Sequence, residues 1–144
     1  MKYLNLIIMT EKQNYSEIPE SYQRYLDEIY SIASKKRGGW VTNKEIADSL
    51  NVEPASVSGM LEKLRENGLI NWEPRKAIRL TKKGKDIALQ LNEIHQLLLI
   101  FFEKVLKLQD KDTIEDLSCE IEHHITQDVK KSLEIFLDKY LNKN

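Results

Sequence analysis

Hydrophobic residues recur at helical spacing along most of the chain, and short polar or glycine-containing breaks separate the runs. Tyr22, Leu26, Ile29, Tyr30 and Ala33 mark a first helix that opens at Pro19-Glu20 and stops at Gly38-Gly39. Thr42, with Glu45 three residues on, has the form of a capping box for a short helix carrying Ile46, Ala47 and Leu50. Asn51-Val52-Glu53 makes a tight turn. Pro54 then opens a second helix with Val57, Met60, Leu61 and Leu64 on its apolar stripe and Gly68 at its end. The period then changes. Leu69 to Trp72 and Ala77 to Leu80 alternate as strands do, joined by Glu73-Pro74-Arg75-Lys76 as a small hairpin. Thr81 caps a long helix over roughly residues 82 to 107, with Ile87, Leu91, Ile94, Leu98, Phe101, Phe102 and Val105 inward, and Asp110-Lys111-Asp112 breaks it. One further helix follows, and Thr126 caps the last, with Val129, Leu133, Phe136, Leu137 and Leu141 on one side.

Short helix, tight turn, helix and basic-tipped hairpin form the winged helix-turn-helix pattern. The fold class is therefore mainly α, an N-terminal winged helix-turn-helix followed by a helical domain. The second helix of such a pair fits the major groove and meets base edges with its N-terminal residues, here Ala55, Ser56, Ser58 and Gly59. Small hydroxyl residues allow close approach but read few bases, which leaves DNA shape to supply specificity. Arg75, Lys76 and Arg79 on the wing, and Lys82, Lys83 and Lys85 after it, suit phosphate contacts. Thr42, Pro54 and Lys63 complete the candidate DNA-facing set.

Charge sharpens this division. The 144 residues carry a formal net charge of -1, yet residues 35 to 86 hold 12 Lys/Arg against 7 Asp/Glu, a net of +5. The remainder holds 10 against 16, a net of -6. A basic front suits phosphates, and an acidic rear suits cations or a partner subunit. A single Cys excludes an internal disulfide, and no apolar run is long enough to span a bilayer, so a cytoplasmic location without membrane attachment is expected. Residues 1–18 are read as a flexible N-terminal arm, 19–85 as the DNA-binding domain and 86–144 as the helical domain; Met1 and Met9 are both candidate starts.

The candidate chemistry of the rear lies in Cys119-Glu120-Ile121-Glu122-His123-His124. On a helix, Cys119, Glu122 and His123 at i, i+3 and i+4 share a face. Together they offer soft, hard and borderline donors of the kinds that first-row transition metals accept. His95 on the long helix is the natural addition. A hydrolase using Glu120 as base is disfavoured, because no nucleophile or oxyanion element accompanies the cluster. No small-molecule substrate is expected.

Several motifs now stand in one order: Tyr25-Leu26-Asp27-Glu28-Ile29-Tyr30, Ile46-Ala47-Asp48-Ser49-Leu50, Pro54-Ala55-Ser56-Val57-Ser58, Leu80-Thr81-Lys82-Lys83-Gly84-Lys85 and Glu122-His123-His124. From about Glu20 to Leu141 the chain resembles the metal-dependent repressors of the diphtheria toxin repressor and manganese transport regulator type, in a short two-domain form. The resemblance implies a homodimer that binds a palindromic operator in double-stranded DNA. It also implies a divalent metal between the DNA-binding and dimerisation domains. The matching ligand positions are Arg24, Asp27, His95, Cys119, Glu122 and His123. Two departures stand out. Arg24 has no acceptor and cannot ligate a cation, so it is expected to pair with Glu122 or Asp27. An alternative reading therefore keeps DNA binding and drops metal gating. Gly59 replaces a long polar side chain that could reach a base. Cys119 favours Fe(2+) over Mn(2+), with Zn(2+) or Co(2+) as substitutes, because soft sulfur matches the later metals.

Overall fold

The computed structural model describes residues 14–143. They divide into two compact units, one up to Leu89 and one from Gln90 onward, so the division falls inside the long helix rather than just after Lys85.

The first unit holds helices α1 (Glu20–Ser34), α2 (Asn43–Leu50) and α3 (Pro54–Glu66), strands β1 (Ile70–Asn71) and β2 (Arg79–Leu80), and the start of α4 (Lys82–Ile100). Local chemistry sets the boundaries. The Thr42 side chain accepts from Glu45 N while the Glu45 carboxylate accepts from Thr42 N, so the capping box is complete. Asn51 ends α2 in the left-handed region at φ 54°, and Pro54 is the first residue of α3. The strands pair antiparallel with Ile70 opposite Leu80 and Asn71 opposite Arg79. Val41 adds an antiparallel bridge to Ile78. Leu26, Ile29, Val41, Ile46, Val57, Leu61, Leu64, Leu69, Ile78 and Ile87 are fully buried and form the core. Each such side chain contributes about 1.5–3 kcal/mol on leaving water.

One expectation is corrected here. Residues 14–18 were assigned to a flexible arm, but Tyr15–Glu17 form a 3-10 turn with Tyr15 fully buried and Ile18 nearly so. The buried Gln23 amide donates to the carbonyls of Tyr15 and Ile18, each at 2.8 Å, and holds the segment against α1. The rest of the proposed arm, with both candidate starts, lies outside the described residues.

The second unit holds the remainder of α4, a π-helical turn (Phe101–Val105), α5 (Lys111–Ile121), a 3-10 turn (Glu122–His124) and α6 (Gln127–Lys143). The expected helix to residue 107 is α-helical only to Ile100. Beyond it the turn widens, Leu106 N bonds to Phe101 O at 3.1 Å, and Lys107 reverses the chain at φ 58°. Asp110 is more than a breaker: its side chain caps α5, accepting from Asp112 N at 3.1 Å and Thr113 Oγ1 at 2.6 Å. Leu91, Ile94, Leu98, Ile114 and Leu137 are buried. On α6, Val129, Ile135, Phe136 and Leu141 remain exposed. Phe136 packs edge-on to Phe101 and stacks on Tyr140.

Candidate metal centre and nucleic-acid interface

Of the candidate metal ligands of the second unit, Cys119 and Glu122 approach His95, and His123 approaches Glu122. α4 carries His95, α5 carries Cys119, and the 3-10 turn carries Glu122 and His123. The expected single helical face does not form, because α5 ends at Ile121 and the chain tightens into the turn. Just before that end, the fully buried Ser118 returns its hydroxyl to Ile114 O at 2.7 Å, so its polar group is satisfied within the helix. The tighter turn directs Glu122 inward, with its side chain only 1% exposed.

His95 lies between two carboxylates. Its Nδ1 is 2.9 Å from Glu122 Oε2, and its Nε2 is 2.9 Å from Glu115 Oε1. Cys119 Sγ is 4.0 Å from His95 Nδ1, and His123 Nε2 is 3.4 Å from Glu122 Oε1. The Glu122 carboxylate holds the His95 imidazole above its ordinary pKa. Burial opposes that shift, and the charges of Glu122 and Glu115 reinforce it. Despite these neighbours, both Glu122 oxygens are buried without a hydrogen bond of good geometry. A buried carboxylate in that state is costly unless a cation or a proton satisfies it. Imidazole, thiol and carboxylate together form a donor set suited to a first-row divalent metal.

The sequence reading missed Glu115. It stands one turn before Cys119 on α5, and donor atoms of His95, Glu115 and Cys119 lie within 4.8 Å of one another. The i, i+4 spacing to Cys119 was the available signal. Asp27 stands half-buried on α1 in the first unit. Arg24, expected to neutralise Glu122 or Asp27, donates from both Nε and Nη2 to Glu20 Oε1 one turn earlier on α1.

On the DNA-facing side, Pro54, Ala55, Ser56, Gly59 and Lys63 are exposed along α3. Thr42 is also exposed, though its hydroxyl serves the capping box. Ser58 is half-buried. Asn43 Nδ2 donates to its hydroxyl at 2.8 Å, and that hydroxyl donates to Pro54 O at 3.2 Å, tying α2 to α3. Arg75 is exposed at the wing tip in the left-handed region, at φ 66°. Lys76 pairs with Glu73 beside it. Arg79 stacks on Trp40, 4.0 Å from the ring centroid, and donates to Gly38 O.

The Thr81-Lys82-Lys83-Gly84-Lys85 run differs from the expected phosphate row. Lys83 Nζ donates to Asn67 O at 3.0 Å and Thr81 Oγ1 to Gly68 O at 2.7 Å. A Cβ at Gly84 would fall 2.0 Å from Leu69 O. The run joins the end of α3 to the start of α4. Lys82, Lys83 and Lys85 are all exposed.

Both halves match family descriptions. Residues 17–78 match "Iron dependent repressor, N-terminal DNA binding domain", and residues 81–142 match "Iron dependent repressor, metal binding and dimerisation domain". The chain belongs to the iron-dependent repressor family. Members of this family are transcriptional regulators, not enzymes.

An uncharacterised HTH-type transcriptional regulator of Methanocaldococcus jannaschii is 32% identical over 124 residues, covering 86% of this chain and 98% of its own. The HTH-type transcriptional regulator MntR of Shouchella clausii is 34% identical over 108 residues, covering 75% of this chain and 73% of its own. The structure of a manganese-dependent transcriptional repressor in complex with manganese superposes with a TM-score of 0.72 at 26% identity. That match covers 81% of this chain and 52% of the other, so this chain spans about half of the solved repressor. Among the described residues, no helix is long and apolar enough to cross a membrane.

Proposed function

We propose that this iron-dependent repressor family member is a cytoplasmic, homodimeric repressor of metal-homeostasis genes, gated by a divalent transition metal with Fe(II) preferred to Mn(II). The observation that carries the reading is Glu122, buried between His95 and His123 with neither oxygen properly hydrogen-bonded. His95, Cys119, Glu122 and His123 would hold the ion. Asp27 is assigned a ligand role on the family resemblance of its helix alone. When bound, the ion would supply positive charge to this carboxylate in place of the His95 proton. The residues themselves do the rest: His95 and His123 present nitrogen donors held by packing, and Cys119 biases the choice of metal. A thiolate favours Fe(II) over Mn(II), so Cys119→Ser is expected to narrow or reverse that preference, as read by competitive anaerobic titration.

The DNA-binding reading rests on the exposed stripe of α3 flanked by a basic wing. Thr42, Pro54, Ala55, Ser56, Ser58, Gly59, Lys63, Arg75, Lys76 and Arg79 are the proposed contacts, some to bases and most to phosphates. The exposed apolar residues of α6 are the proposed contact between two copies, which would set two half-sites in a palindromic operator. Fluorescence anisotropy of a labelled operator tests the whole reading. Affinity is expected to rise with anaerobic Fe(II), less with Mn(II), and to fall with chelator. Equal affinity under all three conditions would sink metal gating.

A further inference from the structure

The outward side of α3 borders a groove of about 660 Å³ between the start of α2 and the wing. Three α3 residues line it: Ser58, Gly59 and Glu62. Each has a different capacity to read DNA. The Ser58 hydroxyl is already committed, donating to Pro54 O and accepting from Asn43. Gly59 offers no side chain, and a Cβ there would meet nothing within 4 Å, so the groove is open at this point. Glu62 is the only carboxylate lining the groove, and its side chain is 42% exposed.

Glu62 is also held in place. Its carboxylate accepts from Arg65 Nη2, three residues along α3. The Arg65 guanidinium lies 5.7 Å from the centroid of the Trp72 ring, which the hairpin buries. An exposed ion pair of this kind is weak and readily exchanged for a better partner. It leaves the Glu62 carboxylate available to a stronger donor.

A carboxylate has acceptors and no donors. In the major groove the cytosine N4 amino group is a donor that a Glu side chain can accept from, whereas guanine presents two acceptors that repel it. Taking the DNA-binding reading as given, we propose that Glu62 is a specificity-determining residue that accepts a hydrogen bond from cytosine N4 and fixes a C·G pair in each half-site. Gly59, one turn earlier, leaves room for the base edge to approach.

Selection from a random duplex library tests the assignment, using the full-length protein with Mn(II) and, anaerobically, with Fe(II). Wild type is expected to enrich a C·G pair at one fixed position of each half-site. Replacing that cytosine with N4-methylcytosine, which keeps the pairing hydrogen and blocks the groove-facing one, or the pair with T·A, is expected to weaken binding about tenfold or more. Glu62→Gln should relax the preference or move it to adenine, which Gln reads through N6 and N7. Glu62→Ala should lose discrimination at that position, with any of the four base pairs accepted there. The same cytosine preference in wild type and both variants would overturn the role of Glu62, as would an operator without the C·G pair. A wild-type protein that enriches no duplex would overturn DNA reading itself and this assignment with it.

Discussion

At the scale of single residues, His95 is the proposed metal ligand whose protonation its neighbours shift. The neighbouring Glu122 carboxylate raises its pKa, so the folded, metal-free protein keeps the imidazolium to higher pH than the unfolded chain does. This contribution to stability is fully present below the ordinary imidazole value of about 6.5 and is lost as pH rises through the elevated folded value. Metal competes for the same nitrogen, so affinity is expected to fall with each step of acidification, starting above the ordinary imidazole range. Isothermal titration at several pH values, with proton release counted from buffers of different ionisation enthalpy, measures both effects, and His95→Gln should flatten them. Glu122→Gln separates ligation from packing. It keeps the shape and removes a buried charge without hydrogen bonds, so metal affinity should drop at least about tenfold. The melting temperature of the metal-free protein should not fall by more than the lost His95 pair explains. A metal-bound Glu122→Gln protein with wild-type affinity would remove this carboxylate from the centre.

At the scale of elements, the joint between α3 and α4 makes the strongest prediction. Gly84 allows the first turn of α4 to lie against the Leu69 carbonyl, and Thr81 and Lys83 close the contact on Gly68 and Asn67. Gly84→Ala forces backbone apart rather than a flexible side chain, at an expected cost of about 1–3 kcal/mol by chemical denaturation. Lys83→Ala, with no clash, should cost far less. The contrast distinguishes a packing joint from a row of phosphate contacts. If the run served phosphates first, Lys83→Ala would reduce the salt slope of DNA binding by about one unit while leaving stability alone.

At the scale of the whole molecule, α6 carries the apolar residues proposed above as the contact between two copies. Val129, Ile135, Phe136 and Leu141 are exposed, although the helix has the periodicity of a buried one. Phe136→Glu is expected to shift the protein towards monomer in sedimentation velocity. Operator affinity should fall with it, since one half-site then acts alone, while the helical content remains. A dimer that persists unchanged would place the interface elsewhere.

How far each of these features was legible depended on the range of the interaction that made it. Helix starts at Thr42, Pro54 and Thr81, and the end at Gly68, were legible because a cap is decided within four residues. The hairpin was legible from its change of period. Tyr15 was not: its burial depends on Gln23, whose amide reaches back to two carbonyls, and a lone amide on a helix advertises no partner. The sequence by itself determined the order of elements, the basic front and acidic rear, and the residue types gathered near Cys119. Only the tertiary structure decided that Glu115 joins His95, that Glu122 sits on a 3-10 turn with its oxygens buried, that Asn43 engages the Ser58 hydroxyl, and that Lys83 closes a joint. Those outcomes depend on which distant group arrives opposite a side chain, and periodicity carries no record of that.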